Sequence, residues 1–182
     1  EQHIVCDRLE FGSPPVRVLH ISDLHIERLG VREARLFDLV RAAEPDIIVM
    51  TGDYVNLSNT ADPLTHQDLR DLLGKLDAPG GVYAVLGSPS VDHPGTIVAL
   101  FDDMPVRLLR NEAEITVCAQ GQSIQLIGVD CRHDIEKDTE ALDIALASAP
   151  DDGPRILLYH SPELMPQAVA REIDLYLCGH TH

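Results

Sequence analysis

The stretch DIIVMTGD, residues 46–53, runs four large apolar side chains together, Ile47 to Met50, and then breaks at Gly52-Asp53. A short uninterrupted apolar run reads as a strand covered on both faces, the habit of a parallel sheet. The strand is expected over 46–51. Upstream, Val31–Ala43 carries Val31, Leu36, Leu39, Val40 and Ala43 at helical spacing, and Pro45 closes it. Before that helix, VRVLHI (16–21) is again strand-like. Downstream come a helix over 64–76, the breaker Ala78-Pro79-Gly80-Gly81, a third buried strand VYAVL (82–86) and a short helix over 96–103.

From there the texture changes. Residues 106–109, 114–118 and 123–129 read as consecutive strands, with Gln120-Gly121-Gln122 as a hairpin turn between the last two. A helix follows over 139–147, then a strand RILLY (155–159), a helical stretch over 162–171 and a last strand IDLYL (173–177). Strands alternating with helices imply an α/β fold with a largely parallel sheet and helices packed outside. The hairpin adds a second sheet or an antiparallel extension.

Composition narrows the function classes. The chain has 182 residues, room for one domain with a substantial core. Thirty acidic against fourteen basic side chains leave a formal charge of −16, and aromatics are 4%. A nucleic-acid partner is therefore not expected, because it calls for a basic stripe or stacking platforms. The loose set Arg28, Arg32, Arg35 reads as a solvated helix face. A phosphorylated substrate is still compatible with the acidity, because bound divalent cations reverse a local field. Cys6, Cys118, Cys131 and Cys178 form no Cys-x-x-Cys pair and read as reduced thiols. No apolar run approaches the ~20 residues of a membrane span. The chain begins at Glu1 and stops on His182, so both ends read as cuts in one domain, 1–182, and the compartment stays open between cytoplasm and membrane association.

In a parallel sheet, ligands gather beyond the carboxyl ends of the strands. The segments just after the apolar runs are Ser22-Asp23-Leu24-His25, Gly52-Asp53, Gly87-Ser88-Pro89, His160-Ser161-Pro162 and Cys178-Gly179-His180-Thr181-His182. Taken singly, an Asp-x-His or Gly-Asp is as readily a turn, and a lone His a surface residue. Together, four of five strand ends present Asp or His, the donor mixture suited to divalent Mn, Fe or Zn.

The series DLH (23–25), GD (52–53), GSP (87–89), YHSP (159–162) and GHTH (179–182) resembles the calcineurin-like metallophosphoesterase superfamily, most closely its small bacterial, often membrane-anchored branch. The likeness covers nearly the whole chain, in order. It implies an αββα sandwich of two mixed β-sheets flanked by helices. It also implies two divalent metal ions: Asp23, His25 and His182 on the first, Asp53 bridging, His160 and His180 on the second. Such a pair, about 3.5–4 Å apart, clamps a phosphoryl oxygen and activates hydroxide for in-line attack. The expected activity is hydrolysis of a phosphate mono- or diester of a small molecule or lipid headgroup.

One element departs from that pattern. Where the family carries Gly-Asn-His-Asp or Gly-Asn-His-Glu, this chain has Gly87-Ser88-Pro89-Ser90. Ser88 could offer a hydroxyl to the second metal, but Pro89 has no proton to give. A general acid contributes roughly 10²–10⁴-fold, so its loss favours good leaving groups. His93 and His133 are the candidates to replace it, and Arg132 is a candidate phosphate contact. For His93 the competing reading, that Asp92-His93-Pro94 starts the next helix, is preferred. The alternative function is a binding or scaffold protein that keeps the fold and has weakened or lost the chemistry.

Overall fold

A computed structural model describes residues 1–9, 12–118, 121–149 and 153–181. Among the described residues, eight strands form two four-stranded sheets. The first holds β1 (Val18–Ile21), β2 (Ile47–Met50), β3 (Val82–Ala84) and β4 (Val106–Leu108), in that order and all parallel. The second holds β5 (Glu112–Val117), β6 (Ser123–Gly128), β7 (Arg155–Leu158) and β8 (Leu175–Leu177); only β5 runs antiparallel to its neighbour. The hairpin turn expected at 120–122 falls partly outside the described residues.

Period-two alternation sorts the strand side chains into layers. Ile48, Met50, Val82, Ala84 and Val106 face α1 (Val31–Ala43) and α2 (Pro63–Leu73), meeting Val40, Leu69, Leu72 and Leu73. Ile47, Val49, Tyr83 and Val85 face the opposite way and meet Ile124, Leu126, Ile156 and Leu158 between the sheets. On the far side, Ile127, Val129, Leu157 and Tyr159 pack on Ala141, Leu142 and Ala145 of α4 (Ile135–Ala147) and on Ala168 of α5 (Met165–Ala170). Two sheets flanked by helices result, with three apolar layers.

The helix ends follow local chemistry. In α1, the Glu33 carboxylate accepts from Gly30 N at 2.8 Å, and Glu44 closes the helix in a left-handed conformation before Pro45. Asp62 caps α2 by accepting from Leu64 N. The helix expected over 96–103 is two short pieces, α3 (Pro94–Ile97) and a tighter turn over Val98–Phe101. Helix α4 starts four residues before the expected Thr139, because Asp134 caps it by accepting from Lys137 N.

Candidate metal centre

The carboxyl ends of β1, β2, β3, β7 and β8 meet at one edge of the sandwich. Backbone hydrogen bonds continue the β1–β2 pairing into the loops: Asp23 N donates to Gly52 O, His25 N to Asp53 O and Ile26 N to Tyr54 O. On the second sheet, Gly179 N donates to His160 O. These bonds hold the loops as extensions of the sheet, so the polar side chains stand on a rigid base.

Asp53 lies at the middle of the cluster and is buried. Its Oδ2 lies 3.8 Å from His25 Nε2, and its Oδ1 lies 3.4 Å from His160 Nε2. The two oxygens thus face two different imidazoles. Oδ1 also accepts from Ser88 N at 2.7 Å, and Ser88 Oγ sits 3.1 Å from His160 Nε2. His160 is fully buried, and its Nδ1 meets Thr51 O at 2.7 Å. A carbonyl can only accept, so this bond fixes the proton on Nδ1 and leaves Nε2 to face Asp53. Thr51 in turn bonds His20 and Ser22 through its hydroxyl, tying β1, β2 and β7 together behind the site.

Burial by itself would raise the Asp53 carboxyl, but the hydrogen bond and charge of His160, the Ser88 N–H and the charge of His25 hold it below the ordinary value. For His160, burial pulls down, and Asp53 together with the Thr51 carbonyl outweighs it and holds the imidazole above its ordinary value. Both effects describe one stabilised pair.

Donor atoms of Asp23, His25 and Asp53 all lie within 4.8 Å of one another. Ligands about 2.1 Å from a common cation stand roughly 3.4–4.2 Å apart, so this trio fits a divalent ion with small adjustment. The Asp53–His160 separation of 3.4 Å fits the same spacing on the other side. Asp23 is itself fixed, since both its oxygens accept from His180 N at 3.1 Å. The His180 ring lies edge-on to His160 and tilted against His133, with centroids 5.1 Å and 5.0 Å away. His182 lies outside the described residues.

Backbone strain marks the same positions. Nine described non-glycine residues have positive φ, and five of them are Asp23, His25, Asp53, His133 and His180. Such conformations cost on the order of 1 kcal/mol each, and they gather where surrounding structure enforces them. Asp and His tolerate this region better than most residues.

The sequence profile of the calcineurin-like phosphoesterase family matches residues 16–182. The chain belongs to this family. Among curated relatives, the chain is 29% identical to "Putative metallophosphoesterase F40B5.2" of Caenorhabditis elegans over 195 residues, covering 96% of this chain and 38% of that protein. It is 26% identical to "Uncharacterized metallophosphoesterase YkoQ" of Bacillus subtilis (strain 168), covering 92% and 61%. It is 27% identical to "Phosphodiesterase YaeI" of Escherichia coli (strain K12), covering 98% and 66%. The chain therefore spans 38% to 66% of the length of these relatives. Calcineurin-like phosphoesterases are metal-dependent hydrolases, and the Asp-His cluster is a donor set of the kind such an enzyme requires.

The other sequence candidates fall unevenly. Ser88 joins the cluster, as described. His133 stands beside His180, with Nδ1 3.3 Å from Glu163 Oε2. The Arg132 guanidinium is 3.4 Å from Asp138 Oδ1 and lines a groove of about 180 Å³ with Leu86, Gly87, Pro89, Arg110 and Cys131. His93 turns away to its own helix: it is exposed and caps α3, its Nδ1 accepting from Gly95 N at 3.2 Å. That bond realises the helix-start reading and gives its ring a local partner instead of the Asp53 cluster. Its neighbour Asp92 turns inward instead. It is fully buried and lies beneath the loops, where burial pushes its carboxyl up to about 7 against the backbone N–H groups it accepts from. Sequence reasoning missed this inward turn, and it missed Thr51, whose contribution is a carbonyl that any residue would carry.

Proposed function

We propose that this chain hydrolyses a phosphoester, with a diester as the preferred substrate class, using two divalent cations held on either side of Asp53. The observation that carries the reading is the split carboxylate. Oδ2 faces His25 on the first sheet, and Oδ1 faces His160 on the second. A carboxylate poised between two imidazoles is suited to join two ions while offsetting their repulsion. Asp23, His25 and Asp53 would hold one, with His182 added from outside the described residues. Asp53, His160, His180 and Ser88 would hold the other. When bound, such a pair supplies Lewis acidity and a water acidified toward neutrality.

The chain's own residues do the rest. Thr51 O holds the Nδ1 proton of His160, so Nε2 is the nitrogen turned toward the centre. The groove beside Pro89 receives the part of the substrate beyond the phosphorus. At about 180 Å³ it is smaller than drug-sized pockets and suits a small polar group such as a headgroup fragment. Arg132 on its wall offers donors to a phosphate oxygen. Pro89 has no proton to donate, so leaving groups stable as anions are favoured, and His133 beside His180 is the candidate acid for the others. The name of the Escherichia coli relative, a phosphodiesterase, supports a diester.

The test is purified protein with added manganese against an activated aryl phosphodiester and the matching monoester. The expected result is two ions per chain and faster turnover of the diester. Pro89 in the groove also motivates a second reading, a binding protein that retains the fold. Two bound ions without turnover of either ester would select that reading, and no bound metal would remove both the dinuclear centre and its chemistry.

A further inference from the structure

The loops that carry Asp53 and Ser88 come from different strands, β2 and β3. Gly52 and Gly87 stand back to back, so close that a Cβ on Gly52 would lie 2.2 Å from Gly87 Cα. Besides the Ser88 N–Asp53 Oδ1 bond, one buried side chain ties them together. Asp92 Oδ2 accepts from Gly87 N at 2.7 Å and from Asp53 N at 2.8 Å, and Oδ1 accepts from Tyr54 N at 3.1 Å. A tight turn over 88–92, with Asp92 N and Val91 N both donating to Ser88 O, folds the carboxylate back under its own loop. Asp92 is fully buried, so losing one of these bonds leaves a backbone N–H short of its partner.

From this geometry we infer that Asp92 is the positioning residue of the metal centre, fastening the Asp53-Tyr54 and Gly87-Ser88 loops together from below. The inference rests on the reading of Asp53 as the bridging ligand. Asp53 has φ of 55°, a conformation that is uphill unless something enforces it. Asp92 grips the N–H of that very residue and of the next. On the other loop it grips Gly87 N, one residue before Ser88 N, which in turn donates to Asp53 Oδ1. The chain of bonds Asp92–Gly87–Ser88–Asp53 therefore sets both where the Asp53 backbone sits and which way its carboxylate points. Partners of this kind behind ligating carboxylates commonly govern metal affinity by roughly 10–100-fold.

The two oxygens make the claim testable by a graded series. In Asp92→Asn, a carbonyl oxygen can keep the Gly87 and Asp53 bonds, while the amide NH₂ opposes Tyr54 N–H. In Asp92→Ala, all three bonds go. The measurements are amide exchange by NMR at residues 53, 54 and 87, and manganese affinity by calorimetry, on the whole chain. Leu72→Ala, in the apolar layer under α2 and making no contact with the site, supplies a comparison that loses stability alone. The expected pattern is selective loss of protection at Tyr54 and a roughly ten-fold weaker affinity in Asp92→Asn. Asp92→Ala exposes all three amides and weakens affinity further, and Leu72→Ala binds manganese as the unaltered chain does. If Asp92→Asn keeps Tyr54 protected, or binds manganese no differently from Leu72→Ala, the inference is overturned; this variant decides even if Asp92→Ala does not fold. Should the unaltered chain bind no manganese, the bridging reading of Asp53 fails instead. The amide pattern then still decides whether Asp92 holds the loops.

Discussion

Adding a single methyl group at position 87 is the sharpest perturbation of this site. Gly87 has no positive φ, so alanine suits its backbone and the effect of Gly87→Ala is purely one of space. The new Cβ would lie 2.2 Å from Asp53 N, 2.3 Å from Asp53 Oδ1 and 2.8 Å from Asp92 Oδ2. Ordinary contact begins at about 3.5 Å, so the two loops must part by roughly 1 Å. Overpacking of this kind costs about 1–3 kcal/mol of stability. That is a fall in Tm of up to ~10 °C at the ~2–4 °C per kcal/mol typical of a domain this size. The effect at the centre is larger in relative terms. Coordination distances tolerate only about ±0.2 Å, so a shift of ~1 Å moves Asp53 out of reach of one cation. Manganese affinity is expected to fall by at least ~10-fold, or about 1.4 kcal/mol. Calorimetric titration and thermal melts with and without manganese measure both effects. Gly74→Ala serves as the control, since its Cβ meets only Arg70 O at 3.3 Å. If Gly87→Ala takes up manganese with unaltered affinity and stoichiometry, the back-to-back glycines do not set the geometry of the centre, and the reasoning from close approach to function fails.

Other outcomes follow from the same structure. His160→Ala is expected to lower the metal content from two ions to one while Asp23, His25 and Asp53 keep theirs; a metal assay that still finds two refutes the split-carboxylate reading. Arg132→Ala should raise KM for the diester by roughly ten-fold, the worth of one charged hydrogen bond of ~1.5 kcal/mol, with kcat little changed. Glu33 tests acid stability away from the centre. Burial would raise its carboxyl, but Arg32 and the Gly30 N–H hold it below the ordinary value. A depressed folded-state value contributes stability that is present above the unfolded-state value and lost as pH falls through the folded one. Glu33→Gln should therefore flatten the fall in urea midpoint between neutral and acid pH, and an unchanged slope would remove Glu33 from the account.

Strands β2 and β3 were legible because burial on both faces leaves no polar alternation to misread, as in Ile47–Met50. Helix α1 was legible to the residue, since its stop is written in Pro45. The start of α4 was not. Its first turn holds Glu136, Lys137 and Asp138, which look like a solvated loop, yet Asp138 is buried and accepts from Tyr159 OH at 2.6 Å. Nor could spacing show that β4 pairs with β3, because a strand's partner is a tertiary fact. At the site, the side chains could be nominated from the strand ends, whereas their supports could not. Thr51 acts through its carbonyl, and Asp92, read with His93-Pro94 as the start of the next helix, turns inward while His93 caps it.

The candidate ligands are divided between the halves of the sandwich, with Asp23, His25, Asp53 and Ser88 on one and His160 and His180 on the other. The layer joining those halves is largely aliphatic, and apolar contact has no preferred direction. Such a layer resists separation but tolerates sliding by fractions of an ångström. The His160–Thr51 bond is directional, and coordination across Asp53 would be more so. A loaded centre would then work as a locating pin, fixing the lateral alignment of two slabs that grease alone leaves slightly free. Sequence drift in the aliphatic layer would be tolerable for as long as that pin is in place.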